Sequence, residues 1–336
     1  QPRSRGLGDV YKRQEGNLSL IRNPKGFNWD FSFNASLVHN KIIKLPYNGN
    51  ENNRQGGTQV FDPKTQQVIW VGGYQEGHTM GDIYAYKQVK ILSDWNEVNT
   101  MAGDYIDMIA GLYGPNVSDA DKKKYGLTKP IEPGDVLWAD LDGNHKIDQL
   151  DRVKVGNIYP KWTGGFSTTL SYKNVSLYGR FDFALGHTIL NMVAMRSLGQ
   201  SVGFKNIIKE GLKTWTEENT NTDLPKSYYD DSTNKKNIYR DTKGSDITSV
   251  NDRSSRFYEK GDYLALRELT LNWKLPVNWI SKVGMTNASV YITGQNLFYI
   301  TGYSGSSPEA PLTYPGVDAG RYPTPRTVLV GASVSF

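Results

Sequence analysis

The feature that most constrains this chain is an unbroken alternation from Phe27 to Leu37. Phe27, Trp29, Phe31, Phe33, Ala35 and Leu37 alternate with Asn28, Asp30, Ser32, Asn34 and Ser36. Period two held over this length predicts an extended strand with one apolar and one polar face. At ~3.3 Å per residue and a tilt near 45°, such a strand rises about 25 Å, the height of the apolar band on an outer-membrane barrel. Strands of a soluble sandwich usually stop at about five or six residues.

The pattern recurs. Phe166, Thr168, Leu170 and Tyr172 lead through a two-residue Lys173-Asn174 turn into Val175, Leu177, Gly179, Phe181, Phe183 and Leu185, with Ser176, Tyr178, Arg180 and Asp182 on the other parity. This spacing predicts a hairpin. Leu269, Leu271, Trp273 and Leu275 continue the series, but Leu264 and Leu266 sit on the opposite parity, which predicts a bulge near Arg267. Val290 and Ile292 mark a weaker strand, and the chain ends in Val328, Val330, Ala332, Val334 and Phe336. Counted by parity, about seven strands span the apolar band.

Connection lengths choose the architecture. Asn23 to Gly26 and Lys173-Asn174 are tight turns and Pro276 to Asn287 is a modest link, whereas 39–161, 186–262 and 299–325 are long excursions. If the strands run up and down, every short link falls at one end and every long one at the other, as in outer-membrane barrels with short periplasmic turns and long extracellular loops. One extra crossing would invert this order, so the strand-like stretch Asp82 to Ile91 belongs to the first excursion. Trp29, Tyr172, Trp273 and Phe336 then fall near the periplasmic end, where an interfacial aromatic girdle is expected.

Composition excludes several functions. Among 336 residues there is no Cys and only four His, so disulfides, thiolate metal sites and Cys or His catalysis have little support. A net charge of +5, with basic and acidic residues interleaved, argues against a nucleic-acid partner. No apolar run approaches the ~18 residues of a membrane helix, which says nothing about spanning strands. No carboxylate pair is singled out by an apolar pocket or a His, and the chain is not expected to be an enzyme. It opens at Gln1 without an initiator Met or secretory signal, and its amino end reads as truncated. Gln1 to Gln14 shows no useful periodicity and resembles translated sequencing-adapter sequence. Residues 1–14 are therefore set aside as a non-native leader, with 15–336 as the chain proper.

Asp140, Asp142, Asn144, Lys146 (through its carbonyl), Asp148 and Asp151 have the spacing of an EF-hand-like calcium loop. His145 stands where such loops place Gly, and Asp151 replaces the longer bidentate Glu. The other reading is an Asp/Asn-rich turn that caps itself through side-chain bonds. Phe204, Ile207, Ile208, Leu212 and Trp215 have helical spacing, expected to pack against neighbouring loops. Trp70, Trp95, Tyr228, Tyr229 and Tyr303, with Tyr74, Tyr105 and Tyr113, lie in the excursions and could stack on sugar rings or simply pack loops. Asp30, Arg180, Asp182 and Lys274 would line the interior as wall ion pairs.

Four segments in order are similar to the carboxy-terminal part of the SusC/RagA family of TonB-linked outer-membrane transporters. They are Gly77 to Lys87, Gly134 to Lys161 through the Asp-rich loop, Ser255 to Leu271, and Gly294 to Phe298 with Tyr322 to Thr327 and the terminal Phe336. The resemblance runs from Glu15 to Phe336. It implies a fragment of a 22-stranded barrel whose amino-terminal plug and TonB-contacting segment lie outside this stretch. It also implies import of oligosaccharides or peptides captured by a SusD-like surface lipoprotein, with outer-membrane lipid, the TonB complex and the barrel-assembly machinery as partners. Phe336 would be the recognition end for assembly, and calcium the cofactor of the Asp-rich loop if any. The rival expectations are a passive porin or small complete barrel, which an odd strand count disfavours, and a secreted calcium-dependent glycan-binding β-sandwich, which would fold in plain buffer.

Overall fold

A computed structural model of the chain describes residues 8–21, 26–199, 208–227, 254–309 and 316–336. Seven long strands form one sheet: β1 (Gly8–Ile21), β2 (Phe27–Lys41), β3 (Trp162–Tyr172), β4 (Val175–Leu185), β5 (Tyr263–Lys274), β6 (Asn287–Thr301) and β7 (Thr327–Ser335). Their order in the sheet is their order in the chain, and every neighbouring pair is antiparallel. The sheet is a curtain of up-and-down strands rather than a sandwich. All three short links lie along one edge and all three long excursions along the other.

Register keeps the two faces distinct across the strands. Phe33 opposes Phe166, which opposes Phe181. Phe166 stacks on Phe181 with ring centroids 4.5 Å apart, and Phe31 adds a third ring at 5.8 Å from Phe166. Farther along, Leu177, Leu271, Ile292 and Val330 occupy one cross-strand row. This apolar face stays open: Leu271 is 46 % and Val330 79 % exposed. An open row of large aliphatic and aromatic side chains of this kind is what the outer face of a membrane-spanning barrel presents. Trp29 keeps its one polar atom satisfied there by donating Nε1–H to Thr168 Oγ1 at 2.8 Å.

The bulge falls where the phase slips. Arg180 pairs with Glu268 but Phe181 pairs with Leu266, so Arg267 is the extra residue, and the β5–β6 register shifts at the same place. Arg267 and Glu268 therefore both serve the polar face, while Leu266 and Leu269 stay on the apolar one. The Lys173-Asn174 turn forms with Lys173 at φ +53°, the left-handed conformation that two-residue hairpins need. Tyr172 and Trp273 share the row Tyr172, Val175, Trp273, with Trp29 one row deeper, and Phe336 follows the last residue of β7 at the same edge.

Gly8 to Gln14, within the stretch set aside as a leader, pair with Lys41 to Ala35 as the far half of β1. A backbone ladder needs no side-chain alternation, so the sequence pattern carried no sign of it. The weak strand at Val290 is a strand of 15 residues, its periodicity hidden by Gln295 and by Asn296 at φ +52°. Phe204 and Ile207 of the expected helix lie outside the described residues. The remainder is a 3-10 turn, Lys209–Lys213, with Leu212 exposed and Trp215 buried. A helix in that excursion lies earlier, at α3 (Met192–Gly199), once α1 (Trp95–Met101) and α2 (Asp119–Tyr125) in the first excursion are counted.

The excursions fold into their own packed lobe. Asp82–Tyr86 pairs with Arg152–Asn157 and Gln88–Ile91 with Val136–Trp138, so the Asp82 to Ile91 stretch stays out of the main sheet. Tyr86, Leu92, Val98, Tyr105, Trp138 and Ile147 build the core, and Trp215 from the second excursion joins it, donating Nε1–H to the Ser93 carbonyl at 3.2 Å. Thr188–Asn191 pairs with Tyr258–Lys260 and with Val317–Asp318 of the third excursion. All three excursions are thus tied together above one edge of the sheet. Gly114 makes one close approach possible, because a Cβ there would collide with the Ala102 and Gly103 carbonyl oxygens.

Candidate functional site

Two constellations carry chemistry. The first lies on the polar face of the sheet, at the bulge. The Arg267 guanidinium bonds both oxygens of Asp182, with Nη2 to Oδ2 at 2.9 Å, and reaches Glu309 of the third excursion. Its Nη1–H donates to the Tyr299 hydroxyl at 3.0 Å. Arg180 stands 3.8 Å from Glu268. The planar fork of Arg suits this duty, because one side chain can satisfy a bidentate carboxylate and two further acceptors. A recess of about 480 Å³ opens beside the network, lined by Ser32, Asn34, Ser167, Tyr178 and Arg180 among others. Of the residues expected in wall ion pairs, Arg180 pairs with Glu268 and Asp182 with Arg267. Sequence reasoning missed Glu309 and Tyr299 as partners, and the phase slip at Arg267 was the available signal for the network's centre.

The second constellation is the Asp-rich loop in the lobe. Asp140, Asp142 and Asp151 each place a carboxylate oxygen within 4.8 Å of the others. The remaining predicted positions have other duties. Asn144 Oδ1 accepts from the Lys146 N–H at 2.7 Å, and Asp148 Oδ1 accepts from Leu150 N–H at 2.7 Å. Asp148 and Asp151 form a reciprocal capping box on a short 3-10 turn. Asp140 accepts from the Gly143 and His145 N–H groups. His145 takes φ +59°, so the backbone makes the sharp turn that Gly would have eased, at a cost of about 1 kcal/mol.

Electrostatics set this loop apart. Asp151 is 1 % exposed, and burial pushes its carboxyl up from 3.8 to about 6 despite the N–H groups of Leu141 and Asp148 that it accepts from. Burial also raises Asp142, with Asp140 adding like charge. The donors are hard oxygens in a convergent group, which fits calcium or magnesium and does not fit zinc or copper. The same bonds to backbone N–H groups also satisfy the self-capping reading.

The excursion aromatics divide. Trp95 is 56 % exposed at the start of α1. Trp70 has the Arg54 guanidinium 3.6 Å above its ring, so one face is already covered. Tyr303 is withdrawn from any ligand role: it is 6 % exposed and donates its hydroxyl to Asp318 at 2.8 Å, and burial raises it well above the usual phenol range. Tyr105 is likewise buried, its hydroxyl accepting from the Trp138 N–H. Tyr74 is exposed, and Tyr113 lies under the Lys122 ammonium. Tyr228 and Tyr229 lie outside the described residues.

No family model matches the chain. TonB-dependent receptor P3 of Formosa agariphila is 30 % identical over 319 residues, covering 92 % of this chain and 27 % of that protein. TonB-dependent receptor SusC of Bacteroides thetaiotaomicron is 24 % identical over 93 % of this chain and 25 % of its own length. The chain thus spans about a quarter of the curated relatives it matches. The solved RagAB peptide transporter superposes with a TM-score of 0.58 at 22 % identity, over 98 % of this chain and 29 % of that one. Its closed-closed state gives 0.60. With the seven-stranded curtain and its one-sided excursions, these likenesses establish that the chain belongs to the SusC/RagA family of TonB-dependent receptors, as a stretch of the barrel.

Proposed function

We propose that this stretch is part of a receptor that imports an oligosaccharide across the outer membrane, driven by TonB and fed by a SusD-like surface lipoprotein. The observation that carries the reading is the strict asymmetry of the sheet, with an open apolar face and every long excursion gathered at one edge. The lobe offers the mouth and the contact with the lipoprotein, and exposed Trp95 and Tyr74 suit stacking on pyranose rings. The mechanism is gated passage without covalent chemistry. Peptide is the second reading, favoured by the likeness to the RagAB peptide transporter. Uptake of labelled oligosaccharide and of labelled peptide by cells with and without the full-length receptor separates the two. Loss of neither on deletion would sink the import reading.

We further propose that the Asp140, Asp142 and Asp151 carboxylates hold calcium, because three buried or half-buried acids otherwise repel one another. Calorimetric titration of the full-length receptor with calcium, before and after Asp140→Ala, tests this. Phe336 serves as the assembly signal, and its removal should lower the amount of inserted barrel.

A further inference from the structure

The short-link edge of the sheet carries a set of cations. Lys173 occupies the left-handed position of the β3–β4 turn, with its ammonium 5.1 Å from the Tyr172 ring. The β5–β6 link contains the short helix α4 (Val277–Ile280) followed by Lys282 in the next turn. Both lysines are exposed. By sequence, Arg22 and Lys25 lie in the β1–β2 link as well. No Asp or Glu occurs from Gly16 to Trp29, from Arg152 to Phe181, or from Leu269 to Thr301. Every short link at this edge is therefore basic, and the acidic residues of these strands stand farther up on the polar face.

The same edge presents apolar surface beside the cations. Ile280 is buried and fastens α4, while Val277, Trp279 and Val283 are 61–68 % exposed. Trp279 meets Trp273 edge-on at 6.1 Å, joining the helix to the apolar face of the sheet. Such side chains are favoured at the boundary between acyl chains and headgroups, where lysine stems lie along apolar surface and their ammonium groups reach outward.

Resting on the outer-membrane reading, the geometry points to a binding surface for anionic phospholipid headgroups of the leaflet at this edge. Lys173 and Lys282 contact the phosphates, while Tyr172, Trp273 and Trp279 seat among the upper acyl chains. Charge complementarity selects the occupant, since a zwitterionic headgroup returns no net attraction to lysines set in stretches without Asp or Glu. A lysine near an anionic bilayer surface favours it about fivefold. Lys274, at the end of β5 on the polar-face parity, takes no part.

The test uses the full-length receptor in an equal mixture of phosphatidylglycerol and phosphatidylcholine, with retained lipids counted by native mass spectrometry. Insertion into vesicles is scored separately by heat-modifiable gel mobility. The retained ratio should favour phosphatidylglycerol, fall about fivefold for each of Lys173→Gln and Lys282→Gln, and fall in high salt. Lys173→Arg and Lys282→Arg should keep it, as should Lys274→Gln. An unchanged ratio in the inserted Gln variants, or its loss in the Arg variants, would overturn the inference. A wild-type receptor that inserts in neither lipid would instead overturn the membrane reading beneath it.

Discussion

The assignment of faces can be tested by one pair of adjacent substitutions. Leu269 lies on the apolar face between Gly179 and Gly294, so an Arg in its place has only small neighbours and no counter-charge. It is four residues above Trp273, which at ~3.3 Å per residue and ~45° tilt places it about 9 Å above the girdle, inside a band about 25 Å tall. Arg near the middle of that band costs about 2–4 kcal/mol, so Leu269→Arg should shift the folding equilibrium about 100-fold. Thr270 points the other way and shares a hydrogen bond with Thr293 at 2.8 Å. Thr270→Arg loses that bond, worth about 1 kcal/mol, and lies near Glu268, so its cost should be about 1 kcal/mol or less. The assay is urea-dependent folding of the full-length receptor into vesicles, read by heat-modifiable gel mobility. Equal costs, or a larger cost for Thr270→Arg, would refute the assignment of lipid and interior faces.

Three further outcomes follow from the same geometry. Arg267→Met leaves Asp182 and Glu309 unpaired and should cost about 1–2 kcal/mol at this partly exposed site. Limited proteolysis should then cut sooner near Glu309, and Arg267→Lys should not restore protection because an ammonium cannot make the bidentate contact. Asp151 binds its proton more tightly folded than unfolded, so without divalent cations the loop should be most stable below pH 3.8. It should lose about 3 kcal/mol as pH rises to about 6 and then level off. Hydrogen exchange at the Leu141 and Asp148 amides, corrected for intrinsic rates, should show this, and Asp151→Asn or saturating calcium should abolish it. Gly114→Ala should destabilise the lobe by about 3 kcal/mol through collision with two carbonyls, whereas Gly126→Ala should cost only about 1 kcal/mol. Gly126 has φ +65° with open space around it, and thermolysin resistance of the lobe would rank the two.

The sheet was legible because each long strand carries one apolar and one polar face. An apolar side chain at every second position lets Phe27 to Leu37 and Val175 to Leu185 announce strand, length and face without knowledge of their neighbours. The same logic located the bulge at Arg267, since only an inserted residue can change parity without turning the strand. Where the pattern lapsed, at Gly8 to Gln14 and around Asn296, backbone pairing continued unseen.

The lobe was not legible in this way. Its core joins Tyr86, Val98, Trp138 and Trp215 from distant points of the chain, and contacts of that kind leave no period to read. Spacing alone put six residues in the Asp-rich loop on equal terms. Tertiary packing brought the Asp140, Asp142 and Asp151 carboxylates within 4.8 Å of one another and buried Asp151, although local backbone N–H groups bond all the acidic and amide side chains of the loop alike. Tyr303 and Trp95 are both aromatic residues in polar surroundings by sequence, yet the first is buried against Asp318 and the second exposed. The sequence by itself determined most of the long strands, their faces and the end at which the excursions gather, because these follow from local alternation and link length. Only the tertiary structure decided that Glu309 reaches Arg267 and which aromatics stay open, because those depend on how separate excursions pack together.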